Sequence, residues 1–145
     1  PQLTAYVPSN SITRVISRSL LSYEASNDAE KRSALVGDLA TEVPKPTDDG
    51  LTYTITLRDG ATWDAPDGAR PIVSEDVERG IKRICNPHIG AALGSYFITL
   101  IDGMTQFCDG FADVAPEAGA MKEYIEANDI TGIETPDDKT VVFRL

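Results

Sequence analysis

One histidine, two cysteines, one tryptophan and two methionines are all that a chain of 145 residues supplies of the side chains that most often work at metals or as thiol and imidazole catalysts. A zinc or other transition-metal site assembled from His and Cys lacks its material here, because the lone His88 has no His or Cys at i+3 or i+4. Basic residues are also scarce. Thirteen Lys and Arg stand against 23 Asp and Glu, for a formal net charge of −10 and a pI near 4.4. Such a balance repels phosphate backbones and anionic headgroups, which excludes nucleic-acid binding and adsorption to acidic membranes as function classes. Long apolar runs are missing too. The longest lies around Phe97 to Ile101, far below the roughly 20 residues that a transmembrane helix needs.

What is present is the composition of a globular protein: 41% hydrophobic and 25% charged residues, with a mean hydropathy of −0.18. The length suits one domain of ordinary size. The sequence starts at Pro1 and stops at Leu145, inside a predicted strand. The expectation is a piece of a longer chain, with any leader or anchor outside it.

Periodicity divides the chain. Ser11 to Leu21 carries Ile12, Val15, Ile16 and Leu20 at helical spacing behind Pro8 and the capping candidates Ser9, Asn10 and Ser11, which predicts a helix. Residues 23–35 are polar and read as a surface loop. Leu39 to Lys45, the turn Thr47-Asp48-Asp49-Gly50 and Leu51 to Arg58 read as strand, turn, strand. Tyr53, Ile55 and Leu57 alternate there with threonines, as in a half-buried strand, and Asp-Asp-Gly is strong turn chemistry. Thr131 to Thr135, Pro136-Asp137-Asp138-Lys139 and Thr140 to Leu145 repeat the plan, and matching the two turns aligns Ile55 and Leu57 with Phe143 and Leu145. Both hairpins are expected in one sheet.

Helices fill the space between. Ser74 is the expected cap of the first, with Glu75 and Asp76 in its first turn, Lys82 and Arg83 in its last, a buried stripe of Val77, Ile81 and Ile84, and a stop at Asn86-Pro87. The second is expected from about Ser95 to Cys108, with Phe97, Leu100, Ile101, Met104 and Phe107 on one face. Residues 109–120 read as a loop, and the third helix runs from about Glu117 to Ala127 behind Pro116. The fold class is therefore α+β: antiparallel hairpins in one sheet flanked by about four helices, in a single subdomain spanning residues 1–145.

No catalytic residue, metal ligand or cofactor emerges from this pattern. His88 follows a helix stop, no nucleophile-elbow sequence accompanies it, and it reads as a solvated loop histidine. Asp64, Asp67, Asp109, Asp113 and the two Asp-Asp turns fit no calcium loop and read as solvated turn residues. The eleven glycines are scattered, and no glycine-rich phosphate loop follows a strand. Cys85 and Cys108 leave two readings open: reduced core cysteines, or a disulfide if the protein meets an oxidising compartment.

Four phrases in order have a common likeness. They are Val36 to Pro44; Asp48-Asp49-Gly50-Leu51-Thr52-Tyr53-Thr54-Ile55-Thr56-Leu57-Arg58-Asp59-Gly60; Ala61-Thr62-Trp63 with Asp67-Gly68 and Pro71-Ile72-Val73-Ser74-Glu75-Asp76-Val77; and Gly132 to Leu145. Together they resemble the bacterial extracellular solute-binding proteins of family five, the peptide and nickel class serving ABC importers. Asp64-Ala65-Pro66 and Ala69-Arg70 depart from the pattern by lengthening the loop before Pro71.

The resemblance implies an α/β parent fold with two lobes, of which this chain is the N-terminal subdomain, one wall of an interlobe cleft. It implies a non-catalytic component of an ABC importer that captures oligopeptides or a related small solute, with permease subunits as partners. It further implies an extracellular or periplasmic monomer, held to the membrane only through a lipid anchor outside this sequence. Ligand-contact residues are expected largely in the missing lobe, and none is assigned here. A stand-alone extracellular interaction module is the alternative; a hydrolase using His88 is the third reading. An exported family also implies a disulfide between Cys85 and Cys108. Placed at the C-terminal ends of two predicted helices, the pair would lie roughly 15–20 Å apart in a tight antiparallel helical hairpin. The bridge therefore requires the loop at 86–95 to carry the chain back, with the second helix crossing the first or running alongside it.

Overall fold

Tyr53, Ile55 and Leu57 do point inward from one strand, and that strand organises the molecule. In the computed structural model, which describes residues 13, 16–47, 50–88, 91 and 94–145, the described residues form seven strands, four α-helices and two 3-10 turns. The central sheet holds β3 (Thr52–Thr56), β7 (Thr140–Arg144) and β6 (Ile133–Asp137) in the order β3-β7-β6, all antiparallel. The two turn-bearing segments thus share one sheet, as expected. Register pairs Tyr53 with Phe143 and Ile55 with Val141, so the aligned pair Ile55 and Phe143 are not cross-strand partners. Ile55, Val141 and Ile133 are buried on the core face, while Thr54, Thr56 and Glu134 are exposed on the other.

The segment from Leu39 to Lys45 is not a strand. Ala40 bridges Leu57, the Thr41 N–H donates to the Thr56 carbonyl at 2.9 Å, and Thr47 bridges Thr52. Between these contacts stand Pro44 and Pro46, which have no N–H to give to a ladder. Asp48 and Asp49 lie outside the described residues; Gly50 has φ +91°, as an Asp-Asp-Gly turn requires. Gly50→Val should therefore strain the backbone by about 1–3 kcal/mol. Lys139→Val should cost far less. Paired thermal melts check this, and equal losses would show that the turn assignment is wrong.

Residues 17–23 also differ from expectation. Ser11, Ile12, Arg14 and Val15 of the expected N-terminal helix lie outside the described residues. Thr13 and Ile16 are helical, but Leu21 already belongs to a strand. β1 (Leu21–Tyr23) pairs antiparallel with β2 (Leu35–Gly37) as a separate two-stranded sheet. The polar stretch between them is exposed, as expected of a loop. It is turned by Asp28, whose carboxylate accepts the N–H groups of Glu30 and Lys31 at 2.9 and 3.1 Å. A third small sheet, β4 (Thr62–Trp63) with β5 (Arg70–Pro71), closes the lengthened loop.

The helices are α1 (Ser74–Lys82), continued by a 3-10 turn over Arg83–Cys85, then α2 (Gly94–Ile98), α3 (Met104–Ala112) and α4 (Ala118–Ala127). Ser74 is the first helical residue, and Val73 holds the cap position. The Ser74 hydroxyl instead donates to the Asp137 carbonyl at 2.5 Å, tying the helix to the β6–β7 turn.

The single helix expected over Ser95 to Cys108 is broken in two, with Thr99 to Gly103 between the pieces. Gly103 has φ +70°, and a Cβ there would meet Thr131 Oγ1 at 1.8 Å. Its neighbour Asp102 bonds outward rather than along a helix: its N–H donates to the Arg144 carbonyl at 3.0 Å and its carbonyl accepts the Gly132 N–H at 2.8 Å. Tertiary partners displace the i→i−4 ladder. The apolar stripe survives the break at Ile101, Met104 and Phe107, but Leu100 is exposed. Residues 109–112, expected as loop, continue α3.

The break also resolves the geometry of the cysteines. Because α3 begins at Met104 and continues to Ala112, Cys108 sits inside the helix rather than at its end. A disulfide joins it to Cys85, with the Cα atoms 4.8 Å apart. Around the bridge, Phe111, Met104, Ile130 and Val141 are fully buried, with Ile101, Phe107 and Ile133 beside them. No helix among the described residues is long and apolar enough to cross a membrane.

Candidate functional site

α1 positions two places where charge is held by structure. The first is at its N-terminus. Asp76, in the first turn, is where a carboxylate can take free backbone N–H groups. It accepts the Val73 N–H at 3.1 Å, the indole N–H of Trp63 at 2.8 Å, and two guanidinium donors of Arg70 at 2.9 and 2.8 Å. The Arg70 guanidinium also lies 5.7 Å from the Trp63 ring centroid. Burial alone would raise the Asp76 pKa, but the hydrogen bonds from Arg70, Trp63 and Val73, with the charge of Arg70, outweigh it and hold the carboxyl below its ordinary range. In sequence Asp76 stands out as a first-turn acid and as part of a family-like phrase that also contains Trp63, but its pairing with Arg70 is not visible there. Arg70, six residues back, comes from the lengthened loop, and Trp63, thirteen back, stands just before it.

This cluster makes a pH prediction. A carboxylate with a folded pKa below its unfolded one contributes stability that is present above the unfolded value and lost as pH falls through the folded value. Asp38, Glu134 and Asp137 are lowered as well. The acid limb of the stability curve should therefore fall away below about pH 4. Asp76→Asn should lower stability at neutral pH by about 1–2 kcal/mol, discounted because Arg70 is largely exposed. It should also flatten that limb, as melting temperatures of parent and variant from pH 2.5 to 6 would read. An unchanged slope would mean that Asp76 contributes nothing to it.

The second place is the last turn of α1. Lys82 is nearly buried, and its ammonium pairs with Glu78 at 2.8 Å and Asp129 at 2.9 Å, while donating to the Ile125 carbonyl at 3.3 Å. It also stands 5.9 Å from the Phe107 ring centroid. The Glu78–Lys82 spacing is a helix-face pair visible in sequence; Asp129, 47 residues on, is not. Three concavities meet at Asp129. One of about 490 Å³ runs along Ile133 to Pro136, one of about 310 Å³ between α1 and α4, and one of about 400 Å³ toward Asp102 and Gln106.

No reaction chemistry assembles in either place. His88 is exposed, 3.3 Å from the Val114 carbonyl through Nε2, and its backbone N–H donates to Asn86 Oδ1 at 2.9 Å. Both cysteines are in the disulfide, leaving no thiol nucleophile. Asp64, Asp67, Asp109 and Asp113 are exposed and scattered, and no group of three His, Cys, Asp or Glu among the described residues could hold a metal ion. Asp137 accepts the Lys139 N–H at 2.8 Å and the Thr140 hydroxyl at 3.0 Å, which is turn chemistry.

Comparison with known proteins supplies what the site geometry does not. Residues 34–145 match the model of the family described as bacterial extracellular solute-binding proteins, family 5 middle. No curated protein sequence matches. Among solved structures, clavulanic acid biosynthesis oligopeptide binding protein 2 is 27% identical with a TM-score of 0.73, over 98% of this chain and 23% of that one. Listeria monocytogenes OppA bound to peptide is 25% identical with a TM-score of 0.60, over 88% of this chain and 20% of that one. The Escherichia coli murein tripeptide binding protein MppA, at 23% identity and a TM-score of 0.69 over 100% of this chain and 24% of that one, shows the shared fold. The chain thus spans about a quarter of the length of these structures. They are binding proteins and not enzymes, and so is the family. With the β3–β7–β6 sheet, the α1 frame and residues 34–145 all accounted for, this chain belongs to the bacterial extracellular solute-binding proteins of family 5.

Proposed function

We propose that the chain is one subdomain of the solute-binding component of an ABC importer, a protein that captures oligopeptides between two lobes and presents them to membrane permease subunits. The observation that carries this reading is the likeness over 98% of the chain, at 27% identity, to a structure named as an oligopeptide binding protein. In this reading the subdomain is a rigid part of one wall, the lobes close by a hinge motion, and the ligand contacts lie largely on the remaining three-quarters of the protein. The protein works outside the cytoplasm as a monomer, anchored through a lipid, and needs no cofactor.

A single wall leaves most of a ligand wet, whereas real pockets bury roughly 70–90% of it. Calorimetry with short peptides on the full-length protein and on residues 1–145 separates the parts of the proposal. Full-length protein should bind with micromolar or tighter affinity, and residues 1–145 should show no such binding. Tight binding by residues 1–145 would overturn the one-wall reading and favour a stand-alone module. Full-length protein that ignores peptides would overturn the solute class.

A further inference from the structure

We draw no further inference here: the strongest candidate, the acidic concavity around Asp129 where the grooves along β6, α4 and the start of α3 meet, carries nothing because its buried charge, Lys82, is already paired with Glu78 and Asp129 and nothing in the structure shows what it would hold.

Discussion

Phe111→Ala should cost about 3–5 kcal/mol, more than any other prediction made for this chain. Phe111 is fully buried. Its ring stacks on Tyr124, with centroids 4.9 Å apart at 16°, and meets Phe107 edge-on at 6.0 Å. Aromatic contacts of this kind add about 0.5–1.5 kcal/mol to the area they bury. The site is also poorly able to collapse. The Tyr124 hydroxyl is fixed by donating to the Phe107 carbonyl at 2.9 Å, and a Cβ on the neighbouring Gly110 would already lie 2.4 Å from that oxygen. Since Tyr124 cannot swing into the vacated volume, the loss should fall in the upper half of the range. Phe111→Leu refills part of the space and should cost about 1–1.5 kcal/mol. Urea unfolding gives both values; a loss under about 1 kcal/mol for the alanine variant would show that Phe111 is not at the centre of the core.

Removing the disulfide comes next. The bridge between Cys85 and Cys108 spans 23 residues of sequence, and the chain-entropy estimate for a loop of that size is about 3 kcal/mol. The double variant Cys85→Ser, Cys108→Ser should lose about that much. Cys85 belongs to the buried cluster with Phe107 and Phe111, so a hydroxyl at 85 adds some desolvation to the loss. Chemical unfolding of parent and double variant measures it. Thiol titration of the denatured, unreduced protein tests the bond directly, and two free thiols would overturn both the bridge and the helix arrangement that permits it.

The parts of the fold legible in sequence are those specified locally. Thr52 to Leu57 and Thr140 to Arg144 carry a period of two that survives in the structure, with Ile55 and Val141 inward. α1, counted with its 3-10 continuation to Cys85, and α4 start and stop within a residue or two of their sequence signals. Failures occur where a distant partner decides the backbone. The helix expected through Leu21 does not continue beyond Ile16, and Leu21 pairs with Gly37. Phe97 to Phe107 has one continuous apolar stripe, yet Arg144 and Gly132 take the hydrogen bonds of Asp102 and Gly103 stops the turn. Nothing within ten residues of Gly103 announces Thr131. The charged clusters were hidden for the same reason. Lysine is seldom buried, so Lys82 read as a helix-end charge, and its second carboxylate partner is supplied by a loop 47 residues away.

The strand order has a kinetic consequence. β7 stands between β3 and β6, although it is the last of the three to leave the ribosome. Thr52 pairs with Arg144, and at about 5–20 residues per second that interval of synthesis lasts on the order of 5–20 s. Throughout it, β3 has only the short bridges at Ala40 and Thr47 to occupy its backbone, and the inward residues Tyr53, Ile55 and Leu57 have no strand to meet. Non-local pairings of this kind slow folding. This is the interval in which a holding chaperone would find most to bind.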